Sequence, residues 1–276
     1  MPVTHPQVHY VEGSDLDSQL LYVVTPDGEA PAHGWPLVVY VHGGGWEHGN
    51  FPAGEPIEVE GRPIFPAMLA AGYALAFVNY RLTDEALWPA QILDCKAAIR
   101  HLRAHAGEYG VDPARIAAYG SSSGAHLAQF LGVTNGDERY EDRAMGSPEA
   151  SSDVRAVLSS YGISDVSAWL VPPSANANGD FIERFLGRGY TRESALEASP
   201  VAHVGERSAP VPMLLAHAQD DPVVNWDMTP TMERALRAAG GAVVSWYPPT
   251  GGHGHDDVFQ NERAVTLYIG FLARYL

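Results

Sequence analysis

The chain has 276 residues, a hydrophobic fraction of 46% and a formal net charge of −16 at pH 7. This length fits one α/β domain with insertions or two small domains, and the composition excludes a disordered chain. The acidic charge argues against nucleic acid as a partner, because it repels phosphate backbones, and it disfavours strongly anionic substrates unless the pocket is locally basic.

The cysteine content and the first residues bear on the cellular compartment. The only cysteine, Cys95, excludes an intramolecular disulfide and a zinc site built on several cysteines. The first twenty residues lack the basic start and apolar run of a signal peptide, and no stretch approaches the roughly 18–20 apolar residues of a membrane span. We therefore expect a cytoplasmic protein that does not contact membranes. A homodimer remains possible.

Strand and helix patterns alternate along the chain. Two short β patterns come first, and a continuous β-branched run then ends abruptly in "HGGGW". This alternation predicts a mostly parallel sheet of eight strands with helices on both faces and an antiparallel N-terminal edge. The predicted strands are 7–12, 19–26, 36–41, 73–80, 115–120, 154–162, 211–218 and 242–248, and the predicted helices are 89–107, 123–133, 228–240 and 256–276.

Two stretches interrupt the alternation. Residues 47–61 are predicted to form a loop after the glycine run. Residues 163–209, here called the 163–209 segment, are long for a connection between strands, and long loops often carry function. We interpret this segment as a small cap or lid within a single domain spanning 1–276. The alternative is a surface excursion without a function.

A Gly-x-Ser-x-Gly pattern occupies residues 120–124, between a predicted strand and a predicted helix. A sharp turn in this context lifts the hydroxyl of the central residue above the sheet. Side chains two positions before and after it would collide, which explains glycine at 120 and 124. The pattern therefore selects Ser122 as a candidate nucleophile over Ser121 and Ser123. A polar turn that caps the helix is the alternative.

Acyl transfer also needs donors for the developing oxyanion. The glycines of "HGGGW", residues 42–46, expose backbone N–H groups at the carboxyl end of a central strand. We assign the oxyanion hole to the N–H groups of Gly44, Gly45 and Ser123. His42 is interpreted as a structural loop residue.

A general base and a carboxylate should follow Ser122 in the chain. "HAQDDPVV" offers Asp220 and Asp221, and "GGHGHDD" offers His253 and His255. Both stretches follow predicted strands, so their side chains should reach the same sheet edge as Ser122. A metal site at the histidine cluster is the alternative, but no His-Glu-x-x-His pattern occurs and we expect no metal.

These motifs, together with "NYRL" and "YGVDPARIAAYGSSSGAHLA", resemble the α/β-hydrolase esterases. The resemblance covers about residue 36 to the C-terminus. It is strongest to the feruloyl-esterase-like (BD-FAE) and hormone-sensitive-lipase-like carboxylesterases. It implies the α/β-hydrolase fold, His253 as the base, and Asp221 as the acid in a His-Gly-x-x-Asp-x-x-Val pattern, whose glycine is replaced by Ala218 in this chain.

The resemblance also brings expectations for neighbouring residues. Serine stands at 123 where these families usually have alanine, so we expect an extra hydroxyl beside the oxyanion hole that alters substrate preference. Trp46, next to the glycine run, is expected to contact an aromatic part of the substrate. Arg81 and Asp94 are expected to form a buried structural pair.

The sequence thus predicts a serine carboxylesterase that uses Ser122, His253 and Asp221, forms an acyl-enzyme and needs no cofactor. Its expected partner is a small-molecule ester. An arylformamidase of the N-formylkynurenine type and a non-catalytic ligand receptor on the same fold are the alternatives.

Overall fold

A nine-stranded β-sheet forms the centre of the fold in the computed structural model. The structure describes residues 1–55, 62–170, 175–206 and 209–276, and for 175–180 it describes only the helical backbone. The strands are β1 (Val3–Thr4), β2 (Val8–His9), β3 (Leu20–Thr25), β4 (Trp35–Val41), β5 (Ala74–Val78), β6 (Val111–Ser121), β7 (Ala156–Ser160), β8 (Met213–Ala216) and β9 (Val243–Trp246). Their order is β1-β3-β5-β4-β6-β7-β8-β9, with β2 also paired to β3.

The pairing pattern agrees with the predicted mostly parallel sheet. From β5 to β9 the neighbouring strands are parallel, whereas β1, β2 and β3 form an antiparallel edge. The two-residue strands β1 and β2 lie on the same side of β3, opposite β5. The sheet is therefore eight strands wide, as predicted, although it contains nine strands.

The helices depart from the prediction at four places, one of which is the 163–209 segment, where two helices form and none was predicted. The prediction missed α1, whose apolar sequence contains a proline. It also treated α2 and α3, which are separated at His105, as one helix. The closing helix is likewise two helices, because Asn261 caps a new helix by accepting a hydrogen bond from the Ala264 N–H. The helices are α1 (Ile64–Ala70), α2 (Ala90–Ala104), α3 (Ala106–Tyr109), α4 (Ser123–Val133), α5 (Ala175–Leu186), α6 (Arg192–Glu197), α7 (Met228–Ala238), α8 (Asp256–Phe259) and α9 (Glu262–Tyr275).

Two hydrophobic cores cover the two faces of the sheet. Successive side chains of a strand point to opposite faces, so Val39 of β4 lies in the core under α2 and α4, and Tyr40 lies in the core under α1 and α9. We call these the α2–α4 core and the α1–α9 core. The longest described helix, α2, has 15 residues, and no helix in the described part of the chain is long and apolar enough to cross a bilayer.

The predicted pair of Arg81 and Asp94 is present beside the carboxyl end of β5. Arg81 Nε lies 2.8 Å from Asp94 Oδ2, and the Arg81 backbone N–H donates to the same oxygen at 2.8 Å. The Asp94 side chain is fully buried and the Arg81 side chain is a quarter exposed. Removing Arg81 would therefore leave a buried carboxylate without its cation.

The 163–209 segment connects β7 to β8 and contains short 3-10 turns together with α5 and α6. Ile182 and Phe185 of α5 are buried in the α2–α4 core. The capping box of α6 is formed by Thr191 and Ser194, each side chain of which accepts the other's backbone N–H. The described part of this segment is thus packed onto the sheet domain.

Candidate active site

Ser122 occupies the sharp turn between β6 and α4. Its backbone has φ 53° and ψ −122°, a conformation that residues other than glycine rarely adopt. A Cβ on Gly120 would lie 2.1 Å from the carbonyl oxygen of Gly124, and a Cβ on Gly124 would lie 2.0 Å from that of Val41. Both glycines are therefore required by backbone contacts, as the motif predicts.

The structure brings Ser122, His253 and Asp221 together at the carboxyl edge of the sheet. Ser122 Oγ lies 2.9 Å from His253 Nε2, and His253 Nδ1 lies 2.7 Å from Asp221 Oδ2. An ionised carboxylate only accepts hydrogen bonds, so the proton of the neutral imidazole lies on Nδ1. Nε2 is then free to accept the proton of the Ser122 hydroxyl, which is the arrangement that a general base needs.

The two neighbouring aspartates have different partners. Asp221 contacts His253, whereas Asp220 Oδ1 accepts the backbone N–H of Gly252 at 2.8 Å. Asp220 therefore holds the loop that carries the histidine, and Asp221 holds the histidine itself. Of the two histidine candidates, His255 is exposed at the start of α8 and forms no side-chain hydrogen bond with Ser122 in the described structure.

Asp221 accepts hydrogen bonds on both oxygens. Oδ1 takes the backbone N–H groups of Val223 and Val224 at 2.8 and 3.0 Å, and Oδ2 takes His253 and His217. Burial opposes ionisation of this carboxyl, but the hydrogen bonds from the two histidines outweigh it and hold the pKa of Asp221 well below its ordinary value. The carboxylate is consequently charged at neutral pH while fully buried.

His217, the histidine of the motif that locates Asp221, lies directly against that carboxylate. Its ring is fully buried, and its Nε2 lies 3.0 Å from Asp221 Oδ2 and 3.2 Å from the carbonyl oxygen of Val224. Its Nδ1 lies 2.6 Å from Thr229 Oγ1. Two acceptors at Nε2 require a proton there, so Thr229 donates to Nδ1. The spacing of four residues between His217 and Asp221 was the available signal for this contact.

The residues assigned to the oxyanion hole lie beside Ser122. Gly43, Gly44 and Gly45 line the same cleft as Ser122 and His253. Gly44 and Gly45 have φ values of 118° and 64°, and a Cβ on Gly44 would lie 2.1 Å from the carbonyl oxygen of His48. Ser123 is the first residue of α4, where the backbone N–H has no acceptor within the helix. Among the described residues, none of the three assigned N–H groups donates a backbone hydrogen bond, and their assignment to the oxyanion hole stays a prediction.

His42 has the structural role that the sequence indicates. Its Nε2 lies 2.7 Å from Asn50 Oδ1, its Nδ1 lies 2.7 Å from the Gly43 carbonyl oxygen, and its ring stacks on Tyr80 with centroids 4.4 Å apart. Both ring nitrogens thus face loop atoms, and neither contacts Ser122.

The expectation that Trp46 contacts substrate is wrong. Its side chain is 0% exposed and does not belong to the described lining of the cleft. The indole stacks on Phe185 with ring centroids 3.9 Å apart and meets the edge of His126 at 5.0 Å. Backbone φ of 59° at Trp46 turns the side chain away from the glycine loop and into the α2–α4 core.

The expectation that the Ser123 hydroxyl modifies the oxyanion hole is also not supported. The side chain is 0% exposed, and its Oγ lies 3.4 Å from the hydroxyl of Tyr80. Only the backbone of Ser123 is placed at the turn, so the added hydroxyl belongs to the protein interior.

The cleft above Ser122 has a volume of about 850 Å³. Its lining contains the apolar side chains of Ile163, Trp169 and Phe181, all from the 163–209 segment. It also contains Arg62 and Tyr161, which belong to none of the predicted motifs. The ring of Tyr161 packs edge-on against His253 with centroids 4.9 Å apart.

Comparisons with known proteins are consistent with this geometry. Esterase LipC of Mycobacterium tuberculosis is 32% identical over 83% of this chain and 55% of its own length, and Esterase LipQ of the same organism is 30% identical over 79% and 49%. The chain spans about half the length of these two relatives.

Solved structures share the fold over nearly the whole chain. A truncated carbohydrate esterase from gut microbiota superimposes with a TM-score of 0.85 and 27% identity, covering 99% of this chain and 95% of that one. Esterase 2 of Thermogutta terrifontis phosphonylated by sarin has a TM-score of 0.75 and 25% identity, covering 97% and 94%. The BD-FAE family model matches residues 23–236, which include Ser122, the glycine loop and Asp221. With its α/β-hydrolase fold and this match over most of its length, the chain belongs to the BD-FAE family.

Proposed function

We propose that this protein is a serine carboxylesterase that hydrolyses small to medium carboxylic esters. The observation that carries the proposal is the continuous hydrogen-bonded chain from Ser122 Oγ through His253 to the buried carboxylate of Asp221, open to a cleft. This arrangement provides a nucleophile, a general base and an orienting anion in contact with one another.

The reaction begins when Ser122 Oγ attacks the ester carbonyl carbon and His253 Nε2 takes its proton. The negative charge that forms on the carbonyl oxygen is stabilised by the N–H groups of Gly44, Gly45 and Ser123. Collapse of this intermediate breaks the bond to the alcohol, which leaves with the proton from His253. Ser122 then carries the acyl group as an ester.

A water molecule completes the turnover. His253 removes a proton from the water as it attacks the acyl carbonyl, and the second intermediate releases the carboxylic acid while Ser122 regains its proton. Throughout both halves Asp221 remains ionised and stabilises the imidazolium, which is consistent with its depressed pKa. These steps require no cofactor.

The related proteins support the class of reaction. Two relatives carry the name esterase, and one structural neighbour was solved as an esterase phosphonylated by sarin. Organophosphonates react with activated nucleophiles, which displace a leaving group from phosphorus, and an activated nucleophile is the role proposed for Ser122. The arylformamidase alternative shares the nucleophile turn and the glycine loop, but with Trp46 buried its aromatic contact would have to come from other residues of the cleft.

We also propose that the 163–209 segment, through its described residues, acts as a cap over one side of the cleft. Trp169 and Phe181 line the cleft, their rings lie 5.6 Å apart, and the ring of Phe181 lies close to Gly45. These aromatic surfaces suit an apolar acyl or alcohol group next to the oxyanion hole.

The decisive variant is Ser122→Ala, assayed with p-nitrophenyl acetate and by thermal unfolding. We expect kcat to fall by at least about 10³-fold while the melting temperature is retained, because the hydroxyl is the nucleophile. Turnover retained by a folded Ser122→Ala protein would overturn the assignment.

Two matched measurements complete the test. His253→Ala should reduce turnover by a similar factor, whereas His255→Ala, two residues away and exposed, should change it little; the reverse order would reassign the base. A fluorophosphonate probe should label the wild type but not Ser122→Ala, and absence of labelling in the wild type would favour a non-catalytic receptor.

A further inference from the structure

The two sides of the cleft differ in chemistry because they belong to different faces of the sheet. Ile163, Trp169 and Phe181 pack with the α2–α4 core. Tyr40 and Tyr161 pack with the α1–α9 core, and they share their side of the cleft with polar groups at the start of α1 and around α8. An ester bound at Ser122 therefore has an apolar wall on one side and a polar wall on the other.

A chain of hydrogen bonds links the polar wall to the nucleophile turn. Arg62 Nη1 donates to the hydroxyl oxygen of Tyr40 at 2.7 Å, and that hydroxyl lies 3.0 Å from Ser121 Oγ. Because the Tyr40 oxygen accepts from Arg62, its own proton is available to Ser121. Ser121 directly precedes Ser122, so the guanidinium is connected to the reaction centre by only two hydroxyl groups.

The charge of Arg62 is not neutralised by the part of the chain that the structure describes. No described carboxylate forms an ion pair with it, and Tyr40 is its only hydrogen-bond acceptor there. A guanidinium has five N–H donors in a planar fork that matches a carboxylate. Arg62 is exposed and lines the cleft, so its remaining N–H donors are accessible to a ligand.

The surrounding charge explains why such a cation would matter. The chain carries a net charge of −16, which repels anionic molecules from its surface. Asp256 lines the same side of the cleft without forming an ion pair with Arg62. An anionic substrate group could be held in this environment only by a local cation, and Arg62 provides one beside the nucleophile turn.

We propose that Arg62, held in place by the Tyr40 hydroxyl that accepts its hydrogen bond, forms a subsite that binds a carboxylate group of the ester substrate. The preferred substrates are thus esters that carry a free carboxylate on the acyl or the alcohol portion. This inference rests on the proposed esterase function and specifies the substrate class for it. A neutral polyol would instead donate hydrogen bonds to the carboxylate of Asp256. The effect of removing the Asp256 charge therefore distinguishes a carboxylate ligand from a neutral polyol.

The test compares each carboxylate ester with its neutral amide analogue. The acyl arm uses monomethyl glutarate and methyl glutaramate, and the alcohol arm uses 4-acetoxybutanoate and 4-acetoxybutanamide. The measured quantity is the ratio of kcat/KM for the carboxylate over the amide, at neutral pH and low salt. The arm with the larger ratio identifies which portion of the ester carries the carboxylate.

Four variants interpret that ratio. In at least one arm Arg62→Gln should lower it about tenfold or more, because a hydrogen bond to a charged group is lost. Arg62→Lys should retain part of it, and Asp256→Asn should raise it about two- to threefold by removing a repulsive charge. Arg274→Gln, which removes an equal charge from the exposed end of α9, should leave it unchanged.

Two results would overturn the proposed subsite while leaving the esterase function intact. One is a carboxylate-to-amide ratio of kcat/KM that Arg62→Gln leaves unchanged in both arms. The other is a ratio that Asp256→Asn lowers. Failure of the wild type to hydrolyse any of the four esters, together with p-nitrophenyl acetate, would instead count against the proposed function. Calorimetric titration of the Ser122→Ala protein with glutarate tests the subsite without turnover. Binding that is weakened at least fivefold by adding Arg62→Gln supports the subsite, and equal binding overturns it.

Discussion

The nucleophile turn and the 163–209 segment border the same cleft but are held in place by different forces. Within the turn, backbone atoms touch so closely that a Cβ at Gly120 would lie 2.1 Å from the Gly124 carbonyl oxygen. The 163–209 segment is held by side chains, chiefly the stack of Phe185 on Trp46 at 3.9 Å. Backbone contacts that leave no room for a Cβ require glycine and so leave a sharp residue pattern, whereas packing between distant side chains does not.

The strongest test of this comparison is Gly124→Ala. The added Cβ would lie 2.0 Å from the Val41 carbonyl oxygen and 2.4 Å from that of His42, and neither backbone atom can move without shifting β4 and the glycine loop. We expect a loss of more than about 3 kcal/mol in the free energy of unfolding, measured by denaturant titration, and no detectable ester hydrolysis.

Gly107→Ala is the matched control for the steric argument. This glycine lies in α3 with no atom within 4 Å of the added Cβ and with an ordinary backbone conformation. The substitution should leave stability unchanged or raise it by up to about 1 kcal/mol, since alanine favours helix. If Gly124→Ala and Gly107→Ala had the same free energy of unfolding, backbone contacts would not be what requires glycine in the turn.

The corresponding test of the 163–209 segment is Phe185→Ala. Phe185 is fully buried and contacts Trp46, Trp88 and His126, so its truncation should cost about 3–5 kcal/mol of unfolding free energy. Because no contact in the triad involves Phe185, kcat on p-nitrophenyl acetate should fall by less than about tenfold at a temperature where the variant remains folded. A loss of activity as large as that of Ser122→Ala would mean that the segment and the turn are not separable.

The same distinction explains how much of the fold was predictable. Alternating strand and helix patterns located the parallel sheet and its antiparallel edge, because the hydrophobic periodicity of each element is local. Helix α1 was missed because its sequence, "IFPAMLA", is apolar with an internal proline and lacks a polar cap. The division between α8 and α9 depends on a single side-chain cap at Asn261, which a continuous helical pattern concealed.

In the candidate site, the residues brought together were predictable and the directions of several side chains were not. Chain order and the strand ends indicated Ser122, Asp221 and His253. The burial of Trp46 depends on Phe185, which lies far away in the sequence, and the position of the Ser123 hydroxyl depends on Tyr80. Likewise, Arg62 lines the cleft where it donates to Tyr40, a residue near the end of β4 that is far from it in the sequence.

An intermediate loss of stability and activity is expected for His217, whose hydrogen bond, rather than backbone packing, positions Asp221. His217→Phe removes the hydrogen bond from Nε2 to Asp221 Oδ2, and loss of such a bond to a charged group should cost about 1.5–3 kcal/mol. With Asp221 less firmly held, kcat/KM should fall about tenfold to hundredfold. His217→Gln, whose amide can still donate, should recover part of that loss.

The pH dependence separates positioning from general loss of packing in this variant. Hydrogen bonds depress the pKa of Asp221 in the folded state, so its contribution to stability is present above the unfolded pKa and is lost as the pH falls through the folded pKa. Removing His217 raises the folded pKa, so the contribution should be smaller at neutral pH and disappear at a higher pH. An acid-unfolding profile merely lowered at every pH, with an unchanged shape, would indicate packing alone.

The smallest effect is expected at Ser123, where the side chain lies at the turn but takes no part in its geometry. Ser123→Ala removes a buried hydroxyl whose polar partner is the Tyr80 hydroxyl, 3.4 Å away. The Tyr80 hydroxyl keeps another partner, because it donates to the His42 carbonyl oxygen at 3.1 Å. The backbone N–H at 123 is unchanged, so stability should change by less than about 1 kcal/mol and kcat/KM by less than about twofold. Esters of increasing acyl length, compared between wild type and variant, measure whether substrate preference changes. A shifted preference would show that the hydroxyl reaches the oxyanion hole during the reaction. It would contradict the conclusion that only the backbone of Ser123 takes part in the turn.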